Sequence, residues 1–386
     1  MGYSSPNPPV ACVITKLDGE ILSYAHTQPT GKNHAEREAY RLIENSKIPD
    51  HYLFVTLEPC THFGRTPPCS DLILQHKPKK LFIGMKDPNP LVEKNSKLAI
   101  YSEIGIEVIF LEEIKSIAEK YLSGFQKRIL QKKPLIYLKS AISSDGFFAK
   151  QSKKTVSLSN ITSNEITNRL RAKVDAVFVG PGTVYHDSPN LNLKPCKLFH
   201  LEKIKTESFW SRLVNSISDS DETNFTNHNI QNFQPYRIFY ISSSLGIKSN
   251  FIKRQRKINA ENQNYKAIFI IDQNEKDKNF DYKDLLSLSD DPIRIFYLKE
   301  FEAIKKKMLR KLIYEILLES NINSILIEGG NFLYELFSDE ADFFLEIQTQ
   351  TKIKNGILPK IEKSKFTIMQ EIKIESDEWK VYKRKD

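Results

Sequence analysis

TLEPCTHFGRTPPC, from Thr56 to Cys69, sets two cysteines nine positions apart in a loop punctuated by prolines. Upstream lies GKNHAE, Gly31 to Glu36, where a histidine and a glutamate stand two residues apart at the start of a helical pattern, 34–45. LFVTL, Leu53 to Leu57, reads as a short buried strand leading into the first cysteine. Cys69 to Gln75 opens a helix behind Pro67 and Pro68, a favoured helix start. Further out, 10–15 and 21–25 read as a strand pair joined by the turn residues Asp18 and Gly19. Lys80–Gly84 and Glu107–Phe110 are further strands, and 117–133 is a helix. Strands alternating with helices predict an α/β layer.

The residue types in this stretch suit one chemistry. Zinc takes one imidazole and two thiolates, here His34, Cys60 and Cys69, and keeps a fourth position for water, whose pKa it lowers toward neutrality. A carboxylate that is not a ligand must then carry protons to the ring nitrogen and the departing ammonia, and Glu36 is placed for that role. Helix-start amides near the cysteines would favour thiolate charge. Cys12 lies in a strand and reads as core.

Composition bounds the rest. A chain of 386 residues suits two domains. Hydrophobic residues make up 40% and charged residues 27%, as in globular proteins, and no apolar run reaches the roughly 18 residues that a membrane span needs. MGYSSPNPPV shows no basic stretch followed by an apolar one, so a cytoplasmic location is expected. Four cysteines are too few for a disulfide framework and fit a reducing compartment. The net charge of +9 is spread along the chain with no basic helix or basic–aromatic stripe, so neither nucleic acid nor a membrane is an expected partner.

After the basic linker Lys132–Lys133–Pro134 a second alternation begins, which divides the chain into 1–130 and 131–386. Its strands are expected at Ile136–Ile142, Ala176–Val179, Arg237–Ile241, Ala267–Ile271, Ile293–Tyr297, Ser324–Ile327, Phe343–Gln348 and Lys365–Ile374. A helix covers 301–319, and an antiparallel pair closes the chain. Polar runs at 197–233 and about 273–290 read as surface insertions. Glu328-Gly329-Gly330 and Gly180-Pro181-Gly182-Thr183 each follow an apolar strand, where glycines let the backbone approach a phosphate; tight turns explain the same residues.

The run around the ligands, with PNPPVACVI (Pro6–Ile14), His26 and GMKDPNP (Gly84–Pro90), resembles the bifunctional deaminase/reductase of riboflavin biosynthesis. Nucleic-acid and cytidine deaminases usually carry Cys-x-x-Cys, whereas eight residues intervene here. KSAISSDG (139–146), 170–191, QPYRI (234–238) and IEGGNFL (327–333) are similar to the family's reductase domain. The resemblance implies a cytidine-deaminase-like α/β/α domain followed by a dihydrofolate-reductase-like α/β domain, with Zn2+ and NADPH as cofactors and a small phosphoribosylaminopyrimidine as substrate. A homo-oligomer is expected. Deamination would be followed by reduction of the ribosyl side chain to ribityl.

Carried over, Asn7 would hydrogen-bond the pyrimidine and Arg65 the ribose phosphate. Asp87 and Asn89 would shape the pocket or make a turn, and Asp145 has the same two readings. Lys139, Thr155, Arg171, Leu191, Lys194 and Glu328 would hold the reductase substrate. Ala141, Ser157, Thr183, Asp187, Ser242, Gly329, Gly330 and Asn331 would face NADPH. The chain departs from the family where a glycine-containing segment reads Leu91–Ser96, where an asparagine is Leu122, where a tryptophan aligns with Ser157, and where an arginine aligns with Lys194. These departures leave open the alternative of a deaminase with a degenerate reductase domain.

Overall fold

The computed structural model describes residues 4–43, 48–64, 66–152, 156–194, 234–242, 244–261, 266–273, 293–299 and 306–385. The run at 197–233, the second polar run beyond Gln273, Arg65 and Thr155 lie outside the described residues. The chain divides into two compact units, Met1–Pro134 with Leu318–Asn323, and Leu135–Leu317 with Ser324–Asp386. Among the described residues no helix is long and apolar enough to cross a membrane.

The first unit is built on a five-stranded sheet: β1 (Ala11–Lys16), β2 (Ile21–His26), β3 (His51–Leu57), β4 (Lys80–Met85) and β5 (Glu107–Phe110), in the order β2-β1-β3-β4-β5. β1 runs antiparallel to both neighbours, while β3, β4 and β5 are parallel. Helices α1 (Ala35–Arg41), α2 (Cys69–His76), α3 (Pro90–Lys94), α4 (Leu98–Glu103) and α5 (Glu112–Gln131) complete the unit. β3 alternates, burying His51, Leu53, Val55 and Leu57 on one face. Leu53, Val55 and Leu57 pack with Ala35, Ala39 and Tyr40 of α1, Ile73 of α2, and Ala118, Leu122 and Phe125 of α5. α5 starts five residues before the 117 expected, because Glu112 and Glu113 supply an acidic first turn in place of an apolar pattern. It stops at Lys132, which takes the left-handed conformation (φ 56°). Cys12 is 1% exposed and belongs to this core, and burial pushes its thiol up.

The second unit is built on a nine-stranded sheet. Its strands are β6 (Leu135–Ile142), β8 (Ala176–Val179), β9 (Tyr236–Ser242), β10 (Ala267–Gln273), β11 (Ile293–Lys299), β12 (Ser324–Glu328), β13 (Phe343–Gln348), β15 (Phe366–Ile374) and β16 (Asp377–Arg384). They stand in the order β11-β10-β9-β8-β12-β6-β13-β16-β15. Every pairing from β11 to β13 is parallel; β16 and β15 close the sheet antiparallel, as the expected terminal pair. AVFV of β8 is buried throughout, the continuous apolar run of a strand covered on both faces. A small ladder joins β7 (Ala149–Lys150) to β14 (Gly356–Ile357). The helices are α6 (Ile161–Lys173), α7 (Pro181–Asp187), α8 (Ser249–Glu261), α9 (Lys306–Glu319) and α10 (Asn331–Phe337). Right after β6, the Asp145 carboxylate accepts from the Ser143 hydroxyl and from the amides of Ile353 and Lys354. Those bonds, the Ser143 hydroxyl first, hold it at about 2, and the residue makes the turn.

Candidate functional site

In the first unit β3 runs out through Glu58 and Pro59 to Cys60, where the first residues of α1 and α2 converge. His34 is the residue before α1, and Cys69 is the first residue of α2. Their spacing in sequence therefore follows from two helices starting at the end of one parallel strand. His34 Nδ1 lies 3.5 Å from Cys60 Sγ and 3.6 Å from Cys69 Sγ. The Cys69 amide, unpaired within its own helix, donates to Cys60 Sγ at 3.3 Å. Bonding from the Cys69 thiol, the His34 ring and that amide pulls Cys60 down to about 4.

The donor set fits zinc. The three ligand atoms lie within 4.8 Å of one another. Tetrahedral zinc, with sulfur at about 2.3 Å and nitrogen at about 2.0–2.1 Å, sets its ligand atoms roughly 3.5–3.8 Å apart. His62, in the same loop, is not in the cluster.

Glu36 is 4% exposed and lines the same cavity as His34 and Cys60, a space of about 420 Å3. Burial, and then the negative charge at Cys60, raise its carboxyl above the usual range, which suits a group that must both take and give a proton. Asn7, Asp87 and Asn89 line this cavity too. Asp87 and Asn89 combine both readings, since Asp87 accepts from the Asn89 amide (2.8 Å) and Asn89 caps α3 through the Leu91 amide (3.1 Å). Burial pushes Asp87 up to about 6.

Sequence reasoning passed over other parts of this wall. Glu58, Thr27, Thr30 and Lys32 also line the cavity, and Arg37 bonds the Pro67 carbonyl at 3.4 Å. Glu58 and Lys32 lie inside the runs already quoted, so the signal was adjacency to the ligands.

In the second unit the parallel register sets Glu328, the last residue of β12, beside Lys139 of β6. Arg171, from the last turn of α6, forks onto Glu328 at 2.6 and 2.9 Å, and Lys139 Nζ stands 3.9 Å away. Burial lowers the Lys139 ammonium, partly offset by Glu328. The turns after β8 and β12 meet: Gly329 and Gly330 are left-handed (φ 84° and 94°), and a Cβ on Gly329 would come within 3.3 Å of Thr183 Oγ1. The positive φ values require glycine in this turn and leave its backbone bare of side chains.

The remaining expected residues come from several elements. Ala141 is half-buried on β6; Leu191 is buried with φ 59°. Ser157 is exposed, as are Asp187 at the end of α7 and Lys194, whose backbone pairs with the Asn168 side chain. The Ser242 hydroxyl meets that of Ser244 at 2.9 Å. The Asn331 amide bonds the Leu358 carbonyl and the Lys360 amide, holding backbone in place.

The RibD C-terminal domain model matches residues 134–341, more than half of the chain, and the cytidine and deoxycytidylate deaminase zinc-binding region matches residues 1–85. The chain belongs to the RibD family. The riboflavin biosynthesis protein RibD of Actinobacillus pleuropneumoniae is 36% identical over 195 residues, 50% of each chain. The chloroplastic riboflavin biosynthesis protein PYRD of Arabidopsis thaliana is 39% identical over 150 residues, 38% of this chain and 33% of that one. The chain thus spans about half the length of the curated relatives it matches. Among solved structures, a diaminohydroxyphosphoribosylaminopyrimidine deaminase/5-amino-6-(5-phosphoribosylamino)uracil reductase of Thermotoga maritima aligns with a TM-score of 0.73 at 23% identity, covering 100% of this chain and 94% of that one. RibD of Acinetobacter baumannii aligns with a TM-score of 0.72 at 23% identity, covering 99% and 94%. These two establish likeness of fold.

Proposed function

We propose that the chain catalyses two successive steps of riboflavin biosynthesis. The deaminase would occupy 1–130 and hydrolyse 2,5-diamino-6-(5-phosphoribosylamino)pyrimidin-4-one. The reductase would occupy 131–386 and convert the ribosyl side chain of the product to ribityl with NADPH. The observation that carries the reading is Glu36 buried in one cavity with His34 and Cys60, whose ligand atoms sit at zinc spacing with Cys69.

His34, Cys60 and Cys69 would hold zinc, which when bound supplies a Lewis acid that activates water. Glu36 moves the protons: one arrives at the ring nitrogen, and one leaves with the exocyclic amine as ammonia while the ring carbon becomes a carbonyl. Burial, and then the charge at Cys60, raise its carboxyl and so favour the protonated form that donates to the substrate. Asn7, on the cavity wall, orients the pyrimidine, and Arg65 takes the ribose phosphate.

In the second unit NADPH, when bound, supplies the hydride. Gly329, Gly330 and Thr183 form the cradle for it, with Ala141, Ser157, Asp187, Ser242 and Asn331 assigned around it by family likeness. Lys139, Arg171 and Glu328 hold the substrate polar chain, joined by Thr155, Leu191 and Lys194. The same reading carries a cytoplasmic location and a homo-oligomer.

The test is a two-stage assay of the zinc-loaded chain with the diaminopyrimidine ribosyl phosphate. Ammonia release followed by NADPH oxidation on adding the cofactor is the expected result. Ammonia without NADPH loss would leave a deaminase with a degenerate reductase domain, and the absence of both ammonia release and NADPH oxidation would overturn the reading.

A further inference from the structure

The first-unit cavity contains a carboxylate that the proton transfers leave unused. Glu58, between the end of β3 and Cys60, is 5% exposed and lines the cavity with Glu36. Carrying a charge out of water is costly unless strong hydrogen bonds meet it. Here the donors all come from one segment. Oε1 accepts from the Ser96 hydroxyl at 2.6 Å, and Oε2 accepts from the Asp87 amide at 3.4 Å. The Glu58 amide donates to the Met85 carbonyl at 2.9 Å. One residue thus grips both ends of the segment from Met85 to Ser96.

That segment has little else to fix it. α3 within it is five residues long, and its buried residue is Val92. Its internal bonds are local, from the Asn89 amide to Asp87, from the Leu91 amide to Asn89, and from the Asn95 side chain to the Leu91 carbonyl. No residue between Lys86 and Lys97 takes a left-handed conformation, so the loop closes without the glycine turn seen elsewhere in the chain. Two of its residues, Asp87 and Asn89, line the cavity.

We propose that Glu58 is a positioning residue of the deaminase site, closing the Met85–Ser96 segment into a loop and so keeping Asp87 and Asn89 on the wall that faces the substrate. The inference rests on the deaminase reading of this cavity. Glu58 acts through the loop. Its variants therefore change how the substrate is held more than how protons move.

The experiment compares Glu58→Gln and Ser96→Ala with the unaltered full chain, both zinc-loaded. Glutamine keeps the shape and one acceptor but turns an amide N–H toward the other donor; alanine removes the hydroxyl alone. Glu58→Gln is expected to raise KM for the diaminopyrimidine about tenfold, the worth of one charge-assisted hydrogen bond, with kcat changed less than about threefold. Ser96→Ala is expected to raise KM about threefold, since a second contact remains. Zinc content stays unchanged. Hydrogen–deuterium exchange, read without substrate, speeds up across Asp87–Ser96 in both variants and stays as it was in α1 and α2. Unchanged KM and exchange in both variants would overturn the proposal. So would loss of zinc with falling kcat at constant KM, which would make Glu58 a support of the metal loop. If the unaltered chain released no ammonia, the deaminase reading would fall, and exchange alone would decide whether Glu58 holds the loop.

Discussion

The two units assemble their sites differently. In the first, all three candidate ligands and Glu36 come from helix starts and a loop at the end of one strand, between His34 and Cys69. In the second, the charged group is drawn from β6, α6 and β12, and the glycine turns follow β8 and β12. A metal centre can be compact because the ion itself gathers the ligands, which need only correct atoms at correct distances. A site for two large organic molecules needs an extended row of strand ends, which only a completed parallel sheet provides.

The contrast can be broken most sharply at Glu36. Glu36→Gln keeps the cavity shape and removes the proposed proton carrier. Ammonia release is expected to slow by about 10^3-fold, within the usual range for a general acid–base group. NADPH oxidation on an already deaminated intermediate should not change. Equal loss of both activities would mean that the two sites are not chemically independent.

A smaller effect is expected from Arg171→Met. It leaves the Glu328 carboxylate, 11% exposed, with Lys139 at 3.9 Å in place of a two-pronged partner. Removing one partner of a buried pair costs about 3–5 kcal/mol. Urea unfolding should show the loss in the second unit, and Arg171→Lys should recover only part of it. An unshifted transition would show that the pair is solvated in solution and adds little to stability.

The smallest effect is a pH dependence confined to the first unit. Burial raises Asp87 from 3.8 to about 6, so the folded protein holds a proton that the unfolded chain releases. The stabilisation is full below about pH 4 and is lost as pH rises through about 6, on the order of 3 kcal/mol. Metal-free protein should therefore lose first-unit stability between pH 4 and 6, and Asp87→Asn should flatten that slope. A slope that persists in the variant would assign it to another group.

The same contrast governs what could be read without a structure. Strong local patterns placed β5 and β8 to the residue, because short apolar runs bounded by turn residues leave little choice. The cluster of His34, Cys60 and Cys69 was legible for the same reason, as motif and turn chemistry coincide there. α6 was not marked, although it presents Arg171. Its sequence, ITSNEITNRLRAK, buries Ser163, Thr167 and Asn168 beside Ile166 and Leu170, so its apolar periodicity is weak. Its register is fixed instead by Asn160 capping the Ser163 amide and by the Trp379 indole donating to the Ser163 hydroxyl. Trp379 is 216 residues away in sequence, and no local pattern encodes such a partner. The hold of Glu58 on Ser96 escaped notice for the same reason.

The strand order of the second unit also bears on how the chain is made. β6 and β8 are synthesised early, yet they are not neighbours; β12 lies between them and pairs in parallel with both. The middle of the sheet therefore cannot close until Ser324–Glu328 has left the ribosome, and until then two apolar strands wait with open edges. Non-local parallel pairing of this kind folds slowly and is prone to association while incomplete. The first unit, whose five strands are all made by Phe110, carries no such delay in its sheet. Nascent chains halted between these two points should therefore bring most of the substrate for chaperones that recognise exposed strand edges.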